Sequence, residues 1–295
     1  MQAFNQQPVL YNNSDYLPSQ MNLQEVEELE ERALKEEQVE CSVVHRFAPG
    51  IYIREVTIPA GTFSIGHLQK TEHLNIMLQG RVTMIGEDEE WVDLAAPTTF
   101  VSKPGRKIGF IKEEMVWQNV YATAETDIEK LEDMFLEKSM TFKEHQDSER
   151  LLLTFNNSDA VQDYYKVLEE FGLDQEDVRK QTLNEDDQIP FPNGSYSIQV
   201  SKSDIDGKGM FATSSFNIDE VIAPARLEGK RTPAGRYVNH SKTPNCYFIL
   251  DDSNDIYLTA LIPLTGCLGG KLGDELTVDY RQALSLQNGG ILCQQ

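Results

Sequence analysis

Four short stretches of this sequence hold side chains whose types and spacing can do chemistry. The first, Gly235–Cys246, reads GRYVNHSKTPNC: Asn239 and His240 follow a short β-like run, and Pro244 sets φ for the turn that comes after. An amide and an imidazole side by side are too polar for a core strand unless partners meet their donors and acceptors. The pair is therefore hydrogen-bonded inside the fold or turned toward a polar ligand. The second, Asp206–Thr213, carries Gly207-Lys208-Gly209, where missing side chains let backbone take positive φ or approach a ligand closely. The third, Gly273–Tyr280, reads GDELTVDY and ends on a phenolic hydroxyl. The fourth, Gly61–Gly80, contains His67 and His73, whose ring nitrogens can ligate a metal.

The elements that must position these groups follow from texture. Residues 1–40 read as an Asn-, Gln- and Pro-rich arm and then an acidic helix. Asn22 is placed to cap that helix, with Glu25 three residues on, and Leu23, Val26, Leu29 and Leu34 give it a thin apolar stripe for docking. Residues 41–125 are short alternating runs split by Gly and Pro, which predicts an all-β sandwich or barrel. Residues 126–194 return to helical spacing, with Gly172 ending one helix, and close on a polar, Pro-containing connector. Residues 195–284 are β-rich again, and 285–295 form a tail. Inside the second β region, GMFATSSFNIDEVI and IYLTALIPL…KLGDELTV echo one another, which predicts two related hairpins, with LTGCLGGKLG as a long hairpin connection. The fold class is therefore mainly β with a helical bridge.

The chain has 295 residues, room for two ordinary domains, and a formal net charge of −22. That charge opposes binding to a nucleic-acid backbone; it keeps the surface soluble and can draw in a basic substrate. The first residues lack a basic segment followed by an apolar one, and no apolar run nears the roughly 20 residues needed to span a bilayer. The four cysteines are scattered with no C-x-x-C, so neither a zinc cluster nor a disulfide framework is indicated. A reducing cytoplasm is the expected setting, without a membrane partner.

Taken together, the three C-terminal stretches resemble the SET domain of protein-lysine methyltransferases. That family carries G-x-G, then R-[FY]-[IV]-N-H-S-x-x-P-N, then G-[ED]-E-L-T-x-D-Y, and all three occur here in order over roughly the last third of the chain. The resemblance implies a compact SET-type β-fold with S-adenosyl-L-methionine as cofactor and a protein with an accessible lysine as substrate. It places Lys208, Gly209, Met210, Arg236, Asn239, His240 and Tyr280 at the cofactor and makes Tyr280 the catalytic residue, with the Asn-His segment threaded under the C-terminal segment. The chemistry is coherent. A lysine amine with pKa about 10.4 is mostly protonated at neutral pH and must be presented as the free base. A narrow apolar channel and an adjacent cation both disfavour the charged form, and a tyrosine hydroxyl can then aim the lone pair. Glu275 and Asp279 read as structural. The sequence departs from many relatives in having Lys242 where a zinc-binding cysteine follows N-H-S, and in the short stretch between Ile222 and Arg236, where larger relatives build the substrate groove. Tyr237 and Tyr257 are the options for a second channel tyrosine.

The fourth stretch resembles the first cupin motif, G-x5-H-x-H-x3-E-x6-G, with His67 in place, Gln69 at the second His position, His73 at the Glu position and Gly80 closing the pattern. Alternation along a strand puts His67 and Gln69 on one face. The second cupin motif would fall at KPGRKIGF, which keeps Pro104 and Gly105 but has no histidine. His67 and His73, with Glu72, make a weak metal set, because a transition metal wants three or more ligands. A metal-free, cupin-like β-barrel used for binding or assembly is the plainer expectation.

Three readings follow. The chain is a lysine methyltransferase whose cupin-like part positions substrate or pairs two copies into a homodimer. Alternatively, it is a non-catalytic assembly protein that keeps a cofactor cleft. The third is a cupin oxygenase or isomerase, which stoichiometric iron, manganese or nickel would signal. By resemblance, a small cupin joined to a compact SET domain in one acidic chain points to a bacterial or bacteriophage source.

Overall fold

A computed structural model describes residues 2–5, 23–85, 91–145 and 158–287. Asn22 and the tail beyond residue 287 lie outside the described residues. The chain divides into two compact units. The first takes residues 1–149, 193–197 and 266–272; the second takes 150–192, 198–265 and 273–295.

The first unit is built on a nine-stranded antiparallel sheet. Its strands are β1 (Gln2–Asn5), β2 (Val43–Ala48), β3 (Ile51–Ile58), β4 (Thr62–Ile65), β6 (His73–Ile85), β7 (Trp91–Ala95), β8 (Thr98–Ser102), β9 (Ile108–Ala122) and β11 (Gly194–Tyr196). A separate small pair joins β5 (Leu68–Gln69) to β10 (Leu136–Glu137). The two longest strands, β6 and β9, organise the unit: β9 pairs with β3, β4 and β6, and β6 turns through bulges between Met77 and Val82 to reach β7 and β8. Gly80 sits in that bulge at φ +91°, and a side chain there would run into the Glu113 and Glu114 carbonyls, so the turn demands glycine. Alternation along β6 and β9 sends Met77, Met84, Ile111, Met115 and Trp117 into a core with Val56, Ile58 and Cys41. Cys267, from the Gly-rich stretch inside the second echoing segment, joins that core, and its carbonyl accepts from Cys41 N–H at 2.9 Å. Helix α1 (Leu23–Ala33) docks Val26, Leu29 and Ala33 on Phe63, Ile65 and Ile108. Its fully buried Glu30 is met by Arg106 at 2.6 Å, the partner a buried carboxylate requires. Helix α2 (Ile128–Phe135) starts at Asp127, whose carboxylate caps the N–H groups of Glu129 and Lys130.

The second unit carries two four-stranded sheets. One orders β12 (Ile198–Lys202), β13 (Lys208–Ala212), β19 (Glu275–Val278) and β16 (Asn239–His240). The other orders β15 (Lys230–Arg231), β14 (Val221–Leu227), β18 (Ile256–Ala260) and β17 (Cys246–Leu250). Among the described residues, four α-helices complete it: α3 (Ser158–Glu170), α4 (Gln175–Leu183), α5 (Pro233–Arg236) and α6 (Tyr280–Gln287). Asp174 caps α4, and Gly172 at φ +63° closes the end of α3.

The two echoing segments are not hairpins. Each crosses from one sheet to the other, β13 to β14 and β18 to β19, and the two pair with one another. Met210 faces Leu276, Phe216 bridges Leu264, and Val221 faces Thr259. Alternation identified the strands, but a strand's partner is set by tertiary packing. For the same reason LTGCLGGKLG connects strands of different sheets and lends residues 266–272 to the first unit. Among the described residues, no helix is long and apolar enough to cross a membrane. Cys41, Cys246 and Cys267 are buried free thiols; burial pushes the first two up to about 12 and the third to about 11, too high for thiolate chemistry near neutral pH.

Candidate functional site

The site grows from one parallel pairing in the second unit. Strand β16 lies alongside β19, with Asn239 opposite Thr277 and His240 opposite Val278, which tucks the Asn-His segment against the strand that leads into Tyr280. Asn245 ties the crossing down: its side-chain N–H group donates to Glu275 O at 2.8 Å, and its side-chain oxygen accepts from Thr277 N–H at 2.8 Å.

Asn239 is the hub of a small polar knot. Its Nδ2 donates to Glu275 Oε1 at 2.8 Å and Ser203 Oγ at 2.9 Å, and also lies 3.2 Å from Lys208 O. Ser203 in turn donates to Glu275 Oε1 at 2.6 Å. Gly209 faces this knot: a Cβ there would collide with the Glu275 carboxylate. The second glycine of Gly207-Lys208-Gly209 is thus required by an internal carboxylate. Gly207 itself adopts φ +53° with open space where its side chain would be.

His240 is 3% exposed, and both ring nitrogens are engaged. Nδ1 accepts the Tyr280 backbone N–H at 3.2 Å, so the ring proton sits on Nε2 and is donated to Asp163 Oδ2 at 3.1 Å. Asp163 also accepts from Arg281 Nη1 at 2.8 Å, and Arg281 Nε donates to Glu170 Oε2 at 2.6 Å. The Arg281 hydrogen bond, reinforced by that of His240, holds the Asp163 carboxyl down at about 2. Helix α3 therefore orients the histidine, and the histidine anchors the first residue of α6.

Tyr280 donates its hydroxyl proton to the Val238 carbonyl at 3.0 Å, which leaves the phenolic oxygen's lone pairs as acceptors. Burial pushes this hydroxyl above the ordinary tyrosine range, with Tyr164, Asp206 and Glu275 adding to the shift, so it stays protonated. Its ring lies 5.1 Å from that of His240 and meets Tyr164 edge-on at 6.1 Å.

Lys208, Arg236, Asn239, His240 and Tyr280, all singled out from sequence, line one cleft of ≈ 1070 Å³ together with Gly207, Tyr164 and Phe248. Gly209 and Met210 do not line it; Met210 is fully buried on β13. Arg236 donates to Gln188 and packs its guanidinium 5.0 Å above the Tyr237 ring, while its Nε is buried without a partner. Tyr237 lines the cleft and Tyr257 does not. Gly235 lets α5 lie flat on β14, because a Cβ there would strike the Ala225 carbonyl. Asp163, Arg281, Ser203 and Val238 were missed by sequence reasoning.

In the first unit, His67 and Gln69 line one small cavity, as strand alternation predicted, but His73 does not share it. His73 directs Nδ1 at Thr71 O, 2.9 Å away, and Nε2 at Lys107 Nζ, 3.2 Å away. Glu72 is exposed, just ahead of the strand that begins at the buried His73. Among the described residues, no group of three or more His, Cys, Asp or Glu side chains is arranged to hold a metal ion.

The SET domain family matches residues 118–281. No curated protein matches the chain. Three solved structures illustrate the structural similarities. An acetylacetone dioxygenase from Acinetobacter johnsonii is 14% identical, with a TM-score of 0.25 over 28% of this chain and 60% of that one. An RmlC-like cupin family protein with a double-stranded β-helix fold from Methanocaldococcus jannaschii is 18% identical, with a TM-score of 0.24 over 32% of this chain and 87% of that one. A cupin domain from Bordetella pertussis is 14% identical, with a TM-score of 0.24 over 30% of this chain and 97% of that one.

Proposed function

Because the chain belongs to the SET-domain family, we propose that it is a methyltransferase that moves a methyl group from S-adenosyl-L-methionine to the ε-amine of a lysine in a protein. One observation carries the reading: Lys208, Arg236, Asn239, His240 and Tyr280, drawn from three separate stretches, line the same cleft. The cleft also suits the cofactor. Gly207 leaves open space at its Cβ position, Arg236 Nε is a buried donor with no partner, and Tyr164, Tyr237 and Phe248 offer aromatic faces. Arg236, Gly207, Lys208 and the Asn239–His240 backbone are the groups that would hold it. When bound, the cofactor supplies the electrophilic methyl group.

The remaining work falls to residues of the chain. With its proton given to Val238 O, the Tyr280 hydroxyl can accept an N–H of the incoming amine and aim the nitrogen lone pair. The His240–Asp163–Arg281 chain fixes the backbone on which Tyr280 sits, so the hydroxyl is positioned before substrate arrives. A net charge of −22 favours the approach of a lysine-rich segment. The first unit serves to position that substrate or to pair two copies of the chain.

The test is calorimetry with S-adenosyl-L-methionine followed by transfer of a labelled methyl group to lysine-containing protein. Tyr280→Phe should keep cofactor affinity within about threefold and lower the transfer rate by about 100-fold or more, the loss of an orienting contact made in the transition state. Full transfer by Tyr280→Phe removes the hydroxyl from the mechanism. No cofactor binding by well-folded protein rejects the enzyme reading in favour of an assembly role.

A further inference from the structure

The cavity inside the first unit is the most unusual feature outside the cleft. Polar side chains, Arg54, His67, Gln69 and Asn119 among them, share its lining with apolar ones such as Met84 and Trp117. Arg54 is 6% exposed, its Nε is buried without a partner, and among the described residues no ion pair reaches its guanidinium. The nearby Glu132 and Arg54 attract one another electrostatically, and Glu132 forms an ion pair with Lys138 at 3.1 Å. His67 is 5% exposed, and its Nδ1 is likewise buried without a partner. Gln69 accepts from the Tyr121 hydroxyl at 2.6 Å through its side-chain oxygen, so its amide N–H groups are the donors it has left. Lys107 adds a second positive charge to the lining.

A buried, unpaired guanidinium is costly unless something supplies the counter-charge. We propose that this cavity binds a short-chain monocarboxylate, with Arg54 as counter-ion, His67 and Gln69 as further donors, and the apolar lining around the hydrocarbon end. Walls that mix polar donors with apolar side chains suit a small amphiphile better than inorganic phosphate. Size sets the class: about 10–15 Å³ of such space holds one water, so ≈ 50 Å³ accommodates roughly three to five heavy atoms, the range from formate to propionate. Burial, with the neighbouring cations Lys138, Arg54 and Arg106, holds His67 well below its usual range; the ring is neutral and can present one N–H. The site needs no metal.

Trp117 lines the cavity and provides a local reporter. In the full-length chain with Trp91→Phe, propionate should change Trp117 fluorescence saturably and raise the melting temperature of the first unit. Propionamide, the neutral isostere, should bind at least tenfold more weakly at matched ionic strength. Arg54→Met should lose at least tenfold in propionate affinity, and Arg54→Lys, which keeps the charge but not the fork, should lose less. Equal binding of acid and amide, undiminished binding by Arg54→Met, or no response to propionate overturns the proposal. Saturable binding of phosphate instead of propionate overturns the carboxylate assignment. The comparison of acid with amide uses native Arg54, so it decides the matter even if Arg54→Met fails to fold.

Discussion

Replacing Asn239 tests the polar knot that holds the cleft together. Its Nδ2 donates to the Glu275 carboxylate at 2.8 Å and to Ser203 Oγ at 2.9 Å. A hydrogen bond to a charged group is worth about 1.5–3 kcal/mol and a neutral one about 0.5–1.5. Glu275 keeps its bond from Ser203, so Asn239→Ala should cost the second unit about 2–4 kcal/mol. Asn239→Asp should cost more at pH 7, since it sets a second carboxylate against Glu275. Two charges 4 Å apart at an effective dielectric near 20 repel by about 4 kcal/mol. Proton uptake caps the penalty: protonating a carboxyl of pKa about 4.3 at pH 7 costs about 3.7 kcal/mol.

The sign of the pH dependence follows. The introduced pair shares a carboxyl with a raised folded-state pKa, so the folded state binds more protons than the unfolded chain. Asn239→Asp should therefore regain stability as pH falls from 7 toward 4, and overtake Asn239→Ala there, because a protonated carboxyl can donate to Glu275. Both tryptophans, Trp91 and Trp117, lie in the first unit, so their fluorescence does not report this change. Hydrogen exchange of peptides spanning Lys208–Ala212 and Glu275–Val278 does. An Asn239→Asp variant as stable at pH 7 as Asn239→Ala would mean that the Asn239–Glu275 contact does not exist.

Two further perturbations test other joints of the structure. Asp163 titrates at about 2 in the folded chain against an ordinary 3.8, so its contribution is complete above about pH 4 and is lost as pH falls toward 2. Asp163→Asn should flatten that acid transition in exchange-measured stability of α6, and an unchanged acid profile refutes the link between α3 and Tyr280. Glu30→Ala strips Arg106 of its buried partner and should destabilise the first unit by about 3–5 kcal/mol in denaturant titrations followed by tryptophan fluorescence; a change under 1 kcal/mol would show the pair to be idle.

The cleft was legible because its residues sit in short stretches with strong local constraints. Asn239, His240 and Tyr280 converge through one parallel strand pair, and Gly207 stands where positive φ is needed. What orients them was not legible. Asp163 reaches His240 across 77 residues, and in the sequence it is one more acid on the polar face of a helix. Gly209 was noted for close approach to a ligand, and the sequence did not reveal that a Cβ there would also meet the Glu275 side chain. The echo between 209–222 and 256–278 was real as strand pattern, yet alternation is silent on which strand pairs with which, and the two segments proved to be each other's partners.

Arg54 is the instructive omission, because its signal was present in IYIREV. Period-two alternation puts Tyr52, Arg54 and Val56 on one face of β3, and both flanking residues are almost completely buried. An arginine at an inward position between two core residues must find a negative charge, reach solvent along its stem or remain unpaired. Only the structure separates these outcomes: the side chain stays inside, Glu132 is paired with Lys138, and the buried Nε faces no acceptor. The histidines at 67 and 73 drew attention as metal ligands, but the charge balance of the cavity is set by an arginine. A pocket whose dominant buried charge is positive is built for an anion, and a metal cation is the ligand it would repel.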